Sequence, residues 1–189
     1  MERQSPIAMV YGPDSLSAQW LRMLTSLLYL AGISAGQSHL HTGGMSNTLC
    51  LHSSPTFGKF SDKVDTSQYI YGVEYEEWNF NPFGHALQNQ DAPCAVCRAV
   101  KQGVHIMIPG RNICPSGWKT EYQGYLMSEH YGYGGRTTAV CVDMDAEGFP
   151  RSAADKNGNL WYTIQAACGS LPCGPYVNGR ELTCAVCTK

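Results

Sequence analysis

Two segments of the chain carry the tetrapeptide Cys-Ala-Val-Cys: DAPCAVCRAV at 91–100 and ELTCAVCTK at 181–189. The first cysteines of the two motifs, Cys94 and Cys184, are 90 positions apart. A CxxC motif is typical of a zinc site or a redox centre. Written twice at a long spacing, it also indicates a duplicated fold. The rest of the sequence has to decide among these three interpretations.

Nearly the same spacing recurs at other landmarks. His39, Gly43, Gly44 and Cys50 are each followed 91 positions later by His130, Gly134, Gly135 and Cys141. The segments QYIYGVEY at 68–75 and NLWYTIQA at 159–166 match at the same spacing. One offset kept across so many landmarks predicts two copies of one unit. Two copies are too few for a solenoid and suit a pair related by a pseudo-twofold axis.

The repeat divides the chain into four parts. We predict an atypical N-terminal segment at 1–23, a first repeat at 24–98, a connecting strand and turn at 99–113, and a second repeat at 114–189. Each repeat should run from a Tyr-rich strand through a Gly-Gly turn, a cysteine strand and an alternating strand to the CAVC strand. VHIMIPG at 104–110 predicts a strand that ends in a turn, and Asn157-Gly158 predicts a hairpin.

The composition favours an all-β protein. Of the 189 residues, 43% are hydrophobic and 15% charged, with 20 Gly, 10 Pro and 11 Tyr, as in short strands joined by many turns. The alternation in the two matching segments predicts strands with one buried face. The net charge of −2, without a basic stripe, argues against a nucleic-acid partner, and the absence of a long apolar run argues against a membrane span.

The stretch LRMLTSLLYLAGISAGQ at 21–37 has three interpretations. Its apolar run after Arg22 and its small-residue end resemble part of a secretory signal. A helix opened by Asp14 and Ser15 would place Trp20, Leu24, Leu27 and Leu28 on one face. The repeat instead predicts a core strand, and the residues alone leave the three open.

The cysteine content indicates disulfides. Nine cysteines fit an oxidising compartment, and an odd number leaves one thiol free or shared with another chain. Cysteines three apart on a strand point to opposite faces, so the two sulfurs of a CAVC strand should bind different neighbours. Paired zinc knuckles normally lie closer together, and a redox CxxC precedes a helix. We therefore expect no metal and no cofactor.

Several stretches together resemble the tandem C-terminal non-collagenous domain of type IV collagen, and most nearly its sponge-type short-chain relatives. They are TGGMSNTLCL, YIYGVEYEE, DAPCAVC, CPSGWKTEYQGYLMSEH and CGSLPCGPYVNGRELTCAVCTK. The resemblance spans roughly 27–189. It implies a non-enzymatic, secreted protein of the extracellular matrix that assembles with itself as a trimer or larger oligomer. Residues 1–23 match nothing in that family, and no Gly-X-Y run is present to form a triple helix.

The resemblance also implies a disulfide scheme. Carried onto matching positions, it pairs Cys50 with Cys94, Cys114 with Cys187, Cys141 with Cys184, and Cys168 with Cys173. Cys97 is left over as an unpaired or interchain thiol, because no matching cysteine precedes the first repeat.

The alternative function is carbohydrate binding, as in a secreted lectin. The two His-Gly-Gly loops, HLHTGGMSN and HYGYGGRTT, each combine aromatic and polar residues and would supply two ligand sites per chain. The candidate residues are His39, His41, Asn47, His130, Tyr131, Tyr133 and Arg136. Glycans or other matrix proteins are then the partners.

Two further clusters have plainer interpretations. Glu74, Glu76 and Glu77 beside Trp78, and Asp143, Asp145 and Glu147, offer calcium-like oxygen ligands but are expected to be exposed strand ends and turns. Ser128 with His130 lacks a third orienting residue, so we expect no catalytic site. Met107, Met127 and Trp161 are expected in the core.

Overall fold

The computed structural model describes residues 26–62, 68–77, 80–99 and 103–189. The predicted N-terminal segment at 1–23 lies outside these residues, as do Trp20, Leu24 and Trp78 of the sequence interpretations. Ser26–Gly36 forms a strand, so the strand interpretation is the one that the structure supports for this stretch. The helical alternative is wrong for it, because its backbone pairs with three other strands.

The described residues form nine strands and no helix. The prediction of an all-β fold is therefore confirmed. The strands are β1 (Ser26–Gly36), β2 (Leu49–His52), β3 (Tyr71–Tyr75), β4 (Pro93–Ala99), β5 (His105–Pro109), β6 (Lys119–Ser128), β7 (Val140–Asp143), β8 (Asn159–Thr163) and β9 (Thr183–Thr188). None of the described residues lies in a helix that could span a bilayer.

Each half of the chain is organised around one long strand. In the first half β1 pairs antiparallel with β2, β3 and β4, and in the second half β6 pairs antiparallel with β7, β8 and β9. The connecting strand β5 pairs with β9. The halves are joined by a parallel pairing of β3 with β8, so the sheet runs from one repeat into the other.

The register of these pairings is also shared between the halves. Gly32 on β1 lies opposite Cys94 as Gly124 on β6 lies opposite Cys184. A bulge interrupts each of these pairings four residues before the glycine, between Leu28 and Leu30 and between Thr120 and Tyr122. The repeat in the sequence thus corresponds to a repeat in strand pairing. A twofold axis relating the two halves stays a prediction.

Gly32 and Gly124 allow a neighbouring backbone to cross their strands closely. A Cβ atom on Gly32 would lie 2.1 Å from the carbonyl oxygen of Leu51, and one on Gly124 would lie 1.8 Å from that of Val142. No side chain fits at such distances, so glycine is required at both positions for steric reasons. This close approach brings β2 against β1 and β7 against β6. The cysteines of β2 and β7 then reach the CAVC strands.

The main core lies where the two halves meet. Trp161 and Met127 of the second half pack with Val73, Tyr75 and Leu87 of the first, and all five are fully buried. Met127 and Trp161 were expected in the core, but Met107 is 39% exposed because it lies on β5, which pairs only with β9. A smaller cluster surrounds the cysteines of the second half.

Two local predictions were wrong. β3 does not alternate between buried and exposed residues, since Val73, Glu74 and Tyr75 are all buried; pairing with β8 places it inside the molecule rather than at its surface. Asn157-Gly158 does not close a hairpin, because β7 and β8 both pair with β6 and not with each other. Asn157 has a φ of 58° and directs its N–H to Glu74 instead.

Candidate functional site

Four disulfides connect the strands. Cys50 pairs with Cys94, Cys141 with Cys184, Cys114 with Cys187, and Cys168 with Cys173. These are the four pairs that the resemblance implies. Cys184 and Cys187 of one CAVC strand bind partners on different segments, as expected for sulfurs that leave opposite faces of a strand. Three of the four cysteines in the two CAVC motifs are therefore in disulfides. This excludes a zinc site formed by all four.

Cys97 is the one free cysteine among the described residues, and it is buried. Burial raises the pKa of its thiol to about 11, and the nearby Glu121 carboxylate adds to the effect. A thiol with such a pKa is a poor nucleophile at neutral pH. Cys97 is thus a small apolar core residue in this chain.

The two His-Gly-Gly loops contact each other. The N–H of Gly135 donates to the carbonyl of His39 at 2.8 Å, and the N–H of Thr138 donates to that of Ser46 at 2.7 Å. A Cβ on Gly135 would lie 2.3 Å from the carbonyl oxygen of Ser38, so this contact needs glycine. The loops form one continuous surface, which we call the loop platform (38–47, 130–138 and Tyr162), and the ligand sites expected on them stay a prediction.

Aromatic rings and imidazoles line the loop platform. The His39 ring lies 5.0 Å from that of Tyr133, and the His130 ring lies 5.3 Å from Tyr133 and 5.2 Å from Tyr162, measured between ring centroids. The Tyr131 ring lies 4.4 Å from His130 and is 96% exposed. Four of the predicted ligand residues therefore share one cluster.

The other three predicted ligand residues lie around this cluster. The ring of His41 contacts Tyr71 at 5.5 Å rather than the platform rings. The Asn47 side-chain oxygen accepts a hydrogen bond from the Thr138 hydroxyl at 3.1 Å, which ties the first loop to the second. Arg136 is exposed.

A carboxylate that the sequence did not single out lies beneath the platform. Glu129 accepts hydrogen bonds from the backbone N–H groups of His130 and Leu160, both at 3.1 Å. Its burial raises the pKa of the carboxyl group from the ordinary 4.5 to about 7, and the nearby Glu76 adds to this while His39 opposes it. In the strand pairings, Glu129 takes the position that Gln37 takes in the first half. A comparison of the two repeats at this position would therefore have identified Glu129 as a carboxylate in place of an amide.

The first acidic cluster is buried, contrary to expectation. Glu74 is 1% and Glu76 4% exposed. Both carboxylate oxygens of Glu74 accept backbone N–H groups from the other half, Lys156 at 3.0 Å and Asn157 at 2.8 Å. These hydrogen bonds compensate for the loss of hydration of the carboxylate. Through these two hydrogen bonds, Glu74 attaches the second half of the chain to the first.

The remaining acidic residues differ in exposure. Asp143 is also buried, whereas Asp145 is exposed. Among the described residues the one acidic or histidine cluster close enough to hold an ion comprises Glu74, Glu76 and Asp155. Because each carboxylate oxygen of Glu74 already accepts a backbone N–H group from the second half, we interpret this cluster as a structural contact between the halves.

Ser128 and His130 do not form a nucleophile and base. The Ser128 hydroxyl donates to the carbonyl of Thr137 at 2.7 Å. The Nδ1 atom of His130 accepts from the N–H of Gly132 at 3.1 Å. Both groups are thus engaged in local loop structure, which does not favour acyl transfer at this pair.

Comparison of the chain with protein-family models, with curated proteins and with solved structures finds no match. The structure defines an all-β protein that is braced by four disulfides. Its two halves meet at a polar and aromatic platform, and its surfaces are the basis for the function proposed below.

Proposed function

We propose that the chain is a secreted structural module of the extracellular matrix that assembles with itself head to tail. The disulfides support an oxidising compartment, since such bonds persist mainly outside the cytosol. The observation behind the assembly is a loop that is docked onto the other half in the second repeat, whereas the described part of its counterpart in the first repeat is exposed.

The docked loop follows β7 and covers the edge of the first half. Asp91 receives three of its contacts: its carbonyl accepts the N–H of Phe149 at 2.9 Å, its N–H donates to the Ser152 hydroxyl at 2.9 Å, and its carboxylate pairs with Lys156 at 2.5 Å. The backbone of Asp91 also forms an isolated antiparallel β-bridge with that of Glu74 on β3. This strip of the first half is therefore covered by the second.

The corresponding loop follows β2, and its described part, 53–62, is exposed throughout. Phe57 is 77% and Phe60 73% exposed, with their rings 6.4 Å apart. Two neighbouring exposed phenylalanines on one loop are typical of an interaction site, because water contact with such area is unfavourable. We name this segment, 53–62, the exposed loop.

The surface that corresponds to the covered strip is partly exposed in the second half. Gln165 and Glu181 form the same isolated bridge as Glu74 and Asp91, and the Gln165 side chain donates to that of Glu181 at 3.0 Å. Gln165 is exposed. The exposed loop of one copy therefore has a matching strip on the second half of the next copy.

Sedimentation equilibrium tests this assignment. Wild type should form a trimer or larger oligomer, and Phe57→Ser with Phe60→Ser should be monomeric with an unchanged circular dichroism spectrum. Tyr131→Ser, which removes an even more exposed ring elsewhere, is the matched control and should assemble normally. Glu181→Lys, which reverses the charge of the matching strip, should also weaken assembly. A wild-type chain that stays monomeric at its highest soluble concentration would refute self-assembly.

A further inference from the structure

We propose that the loop platform is a carbohydrate-binding site that stacks the apolar face of a neutral pyranose ring on Tyr131. This inference is independent of the assembly proposed above, because the platform lies on other residues than the exposed loop and its matching strip.

Tyr131 has the geometry of a stacking residue. Its ring is 96% exposed, while the His130 imidazole lies 4.4 Å away at an interplanar angle of 33°. The tyrosine ring thus lies beside the imidazole and stays almost fully open to solvent. A flat, amphipathic ring presented in this way offers apolar area together with a hydroxyl group, which is what a sugar face with its peripheral hydroxyls requires.

The platform is held rigidly enough to present that ring. Tyr133 contacts both histidines, and Gly135 has no room for a side chain against Ser38. The base of the cluster is Glu129, which binds the backbone of His130 directly. A site assembled from packed loops on a sheet loses little conformational entropy when it binds a ligand.

The polar groups of the platform loops favour a neutral ligand. Segments 38–47 and 130–138 contain no Asp, Glu or Lys, and Arg136 is their single Lys or Arg residue. Exposed hydrogen-bonding side chains lie on both loops, including His41, Thr42 and Arg136. Such groups bind hydroxyls, and one fixed cation gives little preference for a phosphorylated or sulfated ligand.

Saturation-transfer difference NMR on the full chain tests the site. The probes are the methyl glycosides of glucose, galactose, mannose and N-acetylglucosamine at millimolar concentration. At least one should receive saturation, and Tyr131→Ala should weaken its binding by about tenfold, equivalent to ~1.4 kcal/mol. Tyr131→Phe keeps the ring and should retain most of the binding.

The control variant is Phe57→Ala, which removes an exposed aromatic ring outside the platform. It should bind the glycoside as wild type does, even where it weakens assembly, so the two proposals fail separately. Because Tyr131 is almost fully exposed, its alanine variant should keep the wild-type thermal unfolding curve. The proposal is overturned if Tyr131→Ala binds like wild type, or if none of the four glycosides receives saturation.

Discussion

The side-chain nitrogen of Asn159 lies 3.4 Å from Oε2 of Glu129, and the pair repeats a contact of the first half, where Gln68 donates to Gln37 at 2.6 Å. The same strand positions thus hold a glutamine in one copy and a buried glutamate in the other. Each contact joins the residue that follows one long strand, β1 or β6, to the region where the neighbouring strand, β3 or β8, begins.

This difference predicts a pH-dependent stability. The folded-state pKa of Glu129 is raised to about 7, so the unfolded state ionises first as the pH rises, and stability falls between about pH 4.5 and 7. Glu129→Gln should remove this contribution, and its free energy of unfolding relative to wild type should increase from pH 5 to pH 8. Urea unfolding across that range measures the difference. Glu77, whose pKa burial also raises to about 7, is present in both chains and cancels. A constant difference would contradict the prediction.

The glycines at the strand crossings should not tolerate a side chain. Gly124→Ala places a Cβ 1.8 Å from the carbonyl oxygen of Val142, which forces the backbones apart and should cost about 3 kcal/mol of stability. The comparison is Gly72→Ala on β3, where no atom lies within 4 Å of the added Cβ. That variant should be neutral or more stable by up to about 1 kcal/mol. Equal effects in thermal unfolding would contradict the steric argument.

The disulfides should differ in their contributions and in their susceptibility to reduction. Replacing Cys114 and Cys187 by alanine opens a ring with a sequence separation of 73 and should cost about 4 kcal/mol, whereas opening the Cys168–Cys173 ring, with a separation of 5, should cost about 2. Cys168 and Cys173 are exposed, while Cys184 and Cys187 are fully buried. Mild phosphine treatment followed by alkylation and peptide mapping should therefore label Cys168 and Cys173 first. Early labelling of Cys187 would contradict this order.

Features with a direct chemical or numerical signature were accessible from the sequence. The offset between the two CAVC motifs gave the repeat, and the shared strand register follows it from β1 and β6 onward. The abundance of Gly, Pro and Tyr gave the all-β class. Pairings such as Cys50 with Cys94 came from resemblance, since nine cysteines alone permit many connectivities.

Features that depend on how the halves pack were not accessible. Glu74 reads as an exposed strand residue, because nothing local indicates that Lys156 and Asn157 will direct their N–H groups to it. The two His-Gly-Gly loops read as separate sites, because equivalence in sequence does not indicate that His39 and Gly135 touch. Tertiary contact across the repeat decided both cases.

The Glu74 contact gives the last prediction. Glu74→Ala leaves the N–H groups of Lys156 and Asn157 without their acceptor and should destabilise the chain by about 2 to 3 kcal/mol, because two donors lose a charged partner in a water-poor site. The control is Asp155→Asn, which removes an exposed charge in the same loop but keeps a side-chain oxygen for the Asn157 amide and a residue type that tolerates the φ of 49°, so it should cost less than about 0.5 kcal/mol. Amide hydrogen exchange at Lys156 and Asn157 provides a local measurement: both should exchange faster in Glu74→Ala under conditions where the core strands remain protected. If the two amides keep their protection, Glu74 does not hold the loop in place.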